Sequence, residues 1–227
     1  MWTKYNSACY LINDKVMIDF PNGACKYLFR QDISPVNIHD ILITHFHGDH
    51  YFDLPFYILY RSKNKCQKTT IHCSIEGKEK IEAIGHLAFP NSFDDATKDS
   101  NLNYNFNSEI NIDNIQIKRI LVDHGRMKPA YGYILKDKDN YIGFTGDTAL
   151  CENVEYMSSI CKNLFCDCML EKGSQKHQGI DNITYLANKY PNCTFIVSHL
   201  NNPTRNILEN MQIKNVIVPN DGQIINI

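Results

Sequence analysis

No stretch of the chain reaches the ~18–20 continuous apolar residues that a membrane-spanning helix needs, so such a helix is not expected. The first residues, Met1-Trp2-Thr3-Lys4-Tyr5, lack the basic region and apolar core of a secretory signal. No CxxC pair occurs, which removes the usual cysteine-based zinc sites. The nine cysteines are an odd number and cannot all pair within one chain, so reduced, mostly buried thiols in a cytoplasmic protein are expected. There is no surplus of positive charge. The formal net charge is −2, whereas a protein that grips long nucleic acid non-specifically carries a basic excess. Long nucleic acid is therefore disfavoured as a partner, and nothing indicates a membrane surface. Internal repeats, low-complexity tracts and linkers are also missing. What is present is a globular composition, 43% hydrophobic over 227 residues, enough for a single domain spanning 1–227 with one real core.

The stretch Ile41-Leu42-Ile43-Thr44-His45-Phe46-His47-Gly48-Asp49-His50 stands out. An apolar, partly β-branched run reads as a short buried strand, and three histidines and an aspartate follow at its C-terminal end. Imidazole and carboxylate are ligands for a borderline divalent ion. His45 and His47 are two residues apart, so an extended backbone turns both to one metal. Gly48 lets the chain bend before Asp49 and His50. That bend aims the second pair at a different point and suits two metals side by side.

The rest of the chain reads as runs of strands separated by a few helices, not as a regular βαβ alternation. A hairpin is expected over residues 8–20 with its turn at Asn13-Asp14-Lys15, and a helix over 24–30. A buried helix should follow Pro55, then a basic connector with Arg61, Lys63, Lys65 and Lys68 that reads as a solvated loop. Thr69 to Cys73 is a strand, and Ser74 caps a helix through about Leu87. His72 and His86 have no ligand-type neighbours at useful spacing and read as structural. Residues 91–108 look like loop. Paired strands follow at 109–113 and 115–120, then at 131–135 and 141–145. A helix spans about 152–163, and a strand runs from Leu164 to Leu170, ending at Glu171. Cys166 and Cys168 on that strand share one face. Asp181 caps a helix through Lys189. Cys193 to Val197 is a strand, a short helix lies near 205–211, and two short strands close the chain at 216–218 and 224–225.

Four strands end in a metal-capable residue: Thr44 into His45, Asp123 into His124, Gly146 into Asp147 and Ser198 into His199. Together with the spelling HxHxDH, this order resembles the metallo-β-lactamase-fold hydrolases, a superfamily of mostly two-metal enzymes. Several segments narrow the likeness: Pro129-Ala130-Tyr131-Gly132-Tyr133, Phe144-Thr145-Gly146-Asp147-Thr148, Cys166-Asp167-Cys168-Met169-Leu170-Glu171, Ile196-Val197-Ser198-His199-Leu200 and Asp221-Gly222. They are similar to the ribonuclease Z branch over nearly the whole chain. The resemblance implies an α+β fold, a four-layer αββα sandwich. It implies that His45, His47 and His124 hold one metal, that Asp49, His50 and His199 hold the other, and that Asp147 bridges both. His177 matches an extra histidine that assists catalysis without being a ligand. Glu171 is the residue expected to orient it.

Two departures from the branch bear on substrate. Members that process transfer RNA often carry a long arm before the strand leading to the bridging aspartate, whereas here Leu135 and Tyr141 are joined by a short polar turn. The glycine-rich opening of the branch is also not evident in residues 1–8. A small nucleotide-type phosphodiester, such as a cyclic nucleotide, is therefore the better expectation. Two ions can clamp its phosphate and make water acidic near neutral pH. Asp49 can accept the water's proton, and His177 can protonate the leaving alkoxide. The nitrogen-rich ligands favour Zn2+, and the carboxylates leave Mn2+ open. A homodimer follows from the branch's habit. Three other readings stay open on the sequence: hydrolysis of a lactone, thioester or β-lactam; tRNA 3′ processing; and a non-catalytic binding protein of the same fold.

Overall fold

The computed structural model describes residues 3–64 and 66–226. The N-terminal reading at Met1 and Trp2 and the basic side chain of Lys65 lie outside the described residues. The chain divides into two compact units, Ser7–Asn107 and a second made of Met1–Asn6 with Ser108–Ile227. Each contains one sheet and its own helices. No helix among the described residues is long and apolar enough to cross a membrane.

The first unit runs β1 (Tyr10–Ile12), β2 (Val16–Ile18), α1 (Ala24–Arg30), β3 (Asp40–Leu42), α2 (Gly48–Tyr51), α3 (Leu54–Ser62), β4 (Thr69–His72), α4 (Ile75–Ala88), α5 (Phe93–Asp99) and β5 (Leu102–Asn105). The β1–β2 hairpin turns on Asn13 and Asp14, both left-handed at φ 49° and 57°. Asn and Asp tolerate that conformation best among non-glycine residues. From β2 to β5 the strands are parallel neighbours in chain order, with a helix in every crossover. Parallel strands are buried on both faces, and Ile41, Leu42 and Ile43 are accordingly sealed from solvent. Pairing on β3 ends at Leu42, two residues short of the expected strand, although Ile43 N–H still donates to His72 O.

Two expectations fail in this unit. Residues 91–108 are not loop but contain α5 and β5. Their polar residues lie mostly outside, while Phe93 and Ala96 anchor the helix in the core. Arg61 is not part of a solvated connector. It lies in the last turn of α3, fully buried, donating to the carbonyls of Ser100, Val36, Ile38 and Gln67 and to the Tyr57 hydroxyl. A buried guanidinium persists when its N–H groups find acceptors.

Gly85 on α4 faces the Phe93 ring, and a Cβ there would stand 2.1 Å from it. That ring is only 2% exposed and has little room to yield. The change Gly85→Ala removes a helix-weakening glycine worth ~1 kcal/mol but overpacks the core at a cost of ~1–3 kcal/mol. A lower urea midpoint is expected; a raised midpoint would show that the ring moves aside.

The second unit runs β6 (Glu109–Ile112), β7 (Ile115–Leu121), β8 (Tyr131–Asp137), β9 (Asn140–Phe144), α6 (Glu152–Ile160), β10 (Asn163–Asp167), α7 (Ile180–Lys189), β11 (Thr194–Ser198), α8 (Asn202–Asn210) and β12 (Val216–Ile217). Strands β6 to β9 form an antiparallel meander. From β9 to β12 the pairing is parallel and each crossover is a helix, so half of this unit is the regular β/α alternation that the sequence reading did not expect. Asp137 pairs with Asn140, so only Lys138, left-handed at φ 54°, and Asp139 connect β8 to β9. Helix α7 buries Ile180, Ile183, Leu186 and Ala187, one stripe at helical spacing. Its N-cap is Gly179, not Asp181. Asp181 sits in the first turn, where its Oδ1 accepts from Gly173 N–H. Strand β10 stops at Asp167, four residues before Glu171. The final strand expected at 224–225 does not form, and Ile224 is 85% exposed.

Candidate metal centre

In the first unit, the donors follow β3. Thr44, His45 and Phe46 lie outside regular secondary structure, His47 is the N-cap of α2 with an extended backbone, and Gly48, Asp49 and His50 form its first turn. Gly48 does not adopt a left-handed conformation; it is needed for space, because a Cβ would stand 2.6 Å from the Phe52 ring. The change from extended chain to helix is what separates His45 and His47 from Asp49 and His50. His45 Nε2 and His47 Nδ1 lie 3.0 Å apart. His45 and His50 are buried, Asp49 is half-buried and His47 is exposed.

The strand-end logic brings in a residue that the sequence reading passed over. Asp19 follows β2 in a left-handed conformation, φ 60°, and is buried beside the end of its parallel neighbour β3. Its Oδ1 accepts from Thr44 N–H at 2.8 Å, and its Oδ2 from Thr44 Oγ1–H at 2.7 Å and from His50 Nδ1–H at 2.7 Å. Burial raises the Asp19 carboxyl pKa, and these donors pull it back. Thr44 Oγ1, having given its proton to Asp19, accepts from His45 Nδ1–H at 3.1 Å. Both histidines are thus held in the tautomer that leaves the Nε2 lone pair for a ligand.

In the second unit, β7, β9, β10 and β11 run in one direction, so their C-terminal ends share an edge. His124 follows β7, Asp147 follows β9, Asp167 ends β10 and His199 follows β11. His124 is buried, and its Nδ1–H donates to Lys176 O at 2.7 Å, again leaving the lone pair on Nε2. Burial lowers its pKa, which keeps the ring neutral and ligand-ready. Gly146 at φ 59° turns Asp147 off its strand. His199 itself holds φ 57°, unusual for a histidine and of the kind found where a site dictates the backbone. Its Nε2 lies 3.4 Å from Asp147 Oδ2. Asp147, Asp167, His177 and His199 offer ligand atoms all within 4.8 Å of one another.

These donors fit a divalent ion. Bonds of ~2.0–2.1 Å at tetrahedral angles keep neighbouring ligand atoms about 3.3 Å apart. The His45–His47 pair at 3.0 Å and the His199–Asp147 pair at 3.4 Å stand close to that spacing, one in each unit.

The carboxylate beside His177 is Asp167, not Glu171. His177 Nδ1–H donates to Asp167 Oδ2 at 2.9 Å, whereas Glu171 is exposed and lies beyond the end of β10. Placing that strand end three residues too late concealed Asp167. A signal was available: Cys166 and Cys168 are both buried in the core, as expected, so strand alternation turns Asp167 the other way. His72 and His86 are structural, as expected. His72 pairs with Asp40 at 2.7 Å, and His86 bonds Glu82 O and Asp94 at the surface.

Comparison with known proteins follows from this geometry. A family model described as Anti-Pycsar protein Apyc1 matches residues 2–218. Ribonuclease Z of Pyrococcus abyssi is 33% identical over 129 residues, which cover 55% of this chain and 39% of that protein. The chain thus spans about two-fifths of the length of such relatives. Among solved structures, a diphosphatase of the PhnP family superposes with a TM-score of 0.72 at 18% identity, covering 93% of this chain and 80% of the other. The short form of human tRNase Z superposes with a TM-score of 0.70 at 15% identity, covering 96% and 90%. These likenesses establish the metallo-β-lactamase fold.

Proposed function

The chain belongs to the Anti-Pycsar protein Apyc1 family and has the metallo-β-lactamase fold; from that premise we propose that it is a two-metal phosphodiesterase acting on a small nucleotide-type phosphodiester, such as a cyclic nucleotide. The two units are then halves of one hydrolase domain, a reading supported by a single family model that runs over both. On this reading His45, His47 and His124 would hold one ion, Asp49, His50 and His199 would hold the other, and Asp147 would be shared between them. Zn2+ suits the nitrogen-rich set, and Mn2+ suits the carboxylates. When bound, the pair polarises the phosphoryl oxygens and makes water acidic enough to react near neutral pH. The protein's own groups handle the protons. Asp49 accepts one from the attacking water, and His177 supplies one to the leaving oxygen. The odd number of cysteines, nine, supports a cytoplasmic setting.

The observation that carries the small-substrate reading is the β8–β9 connection. Two residues join the strands where tRNA-processing members of the ribonuclease Z branch often carry an arm, so no element inserted there grips a large RNA. The ribonuclease Z name of the relatives makes RNA the competing substrate. The test is a panel of cyclic nucleotides, dinucleotides, a tRNA precursor, a lactone and a β-lactam, assayed with metal analysis of the protein as purified. Cleavage of a cyclic nucleotide to its monophosphate, with about two ions per chain, is expected. Cleavage of only the tRNA precursor, or of only the lactone or β-lactam, would overturn the reading.

A further inference from the structure

We propose that Arg126 and Lys176 grip a second phosphate of the substrate, a phosphate monoester beyond the diester that is cleaved; this deepens the phosphodiesterase reading and rests on it. The chain as a whole is slightly acidic, with a formal charge of −2. The two segments that flank donors of the second unit reverse that balance. Residues 123–128 and 171–176 carry four cations, Arg126, Lys128, Lys172 and Lys176, against two acids, Asp123 and Glu171. All four cations are exposed, and none of them is held in an ion pair among the described residues.

Contacts within the second unit bring the two segments together. His124 to Met127 is a tight turn, closed by Met127 N–H to His124 O at 3.1 Å, with Gly125 and Arg126 at its tip. Gly125 is left-handed at φ 61°, and its bare Cα makes room for a neighbour. A Cβ there would stand 3.0 Å from Lys176 Cγ and 3.3 Å from Gln175 O. The Lys176 stem therefore lies against the turn, beside the residue that precedes Arg126. Its backbone is fixed as well. The Lys176 carbonyl accepts His124 Nδ1–H at 2.7 Å, and its N–H donates to Ser174 Oγ at 3.2 Å. Asp123, the acid nearest the turn, spends one oxygen on Gly125 N–H at 3.1 Å.

The chemistry of the pair suits one kind of ligand. A phosphate monoester carries close to two negative charges near neutral pH. A guanidinium fork bonds two of its oxygens side by side, and an ammonium adds a point contact to a third. Part of the ordering cost of the lysine is met before binding, because its stem is already packed. The cations also lie just outside the donors: Arg126 is two residues from His124, and Lys176 is next to His177. A substrate whose scissile phosphate meets those donors thus presents its second phosphate to the two turns. Small nucleotide diesters that carry a terminal phosphate are accordingly the preferred class.

Binding is read apart from turnover with two monoester probes that a phosphodiesterase leaves intact, adenosine 5′-monophosphate and adenosine 3′,5′-bisphosphate. The zinc-loaded full chain is titrated with each by calorimetry at an ionic strength of about 0.05 M and again at about 0.5 M. The bisphosphate should bind about tenfold more tightly at low salt, and the gain should shrink at high salt. Lys176→Ala and Arg126→Ala should each remove most of the gain while leaving affinity for the monophosphate within about twofold, and Lys176→Arg should keep it. Equal binding of the two probes, or a gain that both alanine variants retain, overturns the proposal. So does a loss confined to a single-stranded oligonucleotide, which would assign the cations to a polymer backbone. Should an alanine variant fail to fold by circular dichroism, the salt series on the unaltered protein decides, and a gain that salt leaves unchanged overturns the grip. A protein that shows the gain yet cleaves no diester overturns the phosphodiesterase reading and leaves the second-phosphate grip standing.

Discussion

Asp147→Ala is expected to lower turnover by about 10³-fold or more and to reduce the metal bound per chain. Asp147 is buried at the end of β9, turned off the strand by Gly146. Its Oδ2 lies 3.4 Å from His199 Nε2 and 3.9 Å from His177 Nδ1. Under the proposed function, its carboxylate is the group shared by the two ions. Alanine removes both oxygens, and no nearby residue takes over. Asp167 sits in the same cluster, but its oxygens are already engaged by Thr148, Met169 and His177. Elemental analysis after gel filtration and a steady-state assay check the prediction together. Unchanged turnover, or two ions retained with undiminished affinity, would refute the bridging role.

Asp19→Asn carries the second large effect, and it falls on stability as well as metal affinity. The Asp19 carboxylate receives the Thr44 N–H, the Thr44 hydroxyl and the His50 Nδ1–H in a buried setting. Asparagine has the same volume and tolerates φ 60°, so the substitution tests the carboxylate and not the backbone. It brings an NH2 toward groups that are themselves donors. A buried donor left without an acceptor costs ~1–3 kcal/mol, and at least one such donor results. A fall in Tm of about 2–12 °C follows, at ~2–4 °C per kcal/mol for a chain of this size. Metal affinity should fall by ~10–100-fold, because His50 loses the partner that sets its tautomer. Thermal melts with and without zinc separate the two effects: the metal-free melt reports the lost hydrogen bonds, and the metal-dependent increment reports the loosened His50. A variant with unchanged Tm and unchanged zinc affinity would show that Asp19 plays neither part.

Much of the fold was readable because its signals are local. The hairpin at Asn13-Asp14, the Ser74 cap and the β8–β9 turn announce themselves within a few residues. The failures share one cause, the override of local composition by contacts from elsewhere in the chain. Residues 93–99 are polar in sequence and helical in the structure, because Phe93 and Ala96 find a core beneath them. Arg61 looks like a surface cation until the carbonyls of Val36, Ile38, Gln67 and Ser100 close around it. Strand β10 is three residues shorter at its C-terminal end than the sequence suggests, since Cys168, Met169 and Leu170 are as apolar as the strand itself.

The sequence by itself determined the kind of chemistry. Histidine and aspartate following apolar strands are facts of residue type and local period, and those facts point to a divalent-metal site; the resemblance to the metallo-β-lactamase-fold hydrolases adds hydrolysis. Only the tertiary structure decided how the donors are held. Asp19 stands behind Thr44 and His50, Lys176 O behind His124, and Asp167 beside His177. Each partnership joins residues 10 to 52 positions apart. A hydrogen bond needs atoms within about 3 Å and aligned, and sequence spacing cannot specify that until strands have ended and loops have closed.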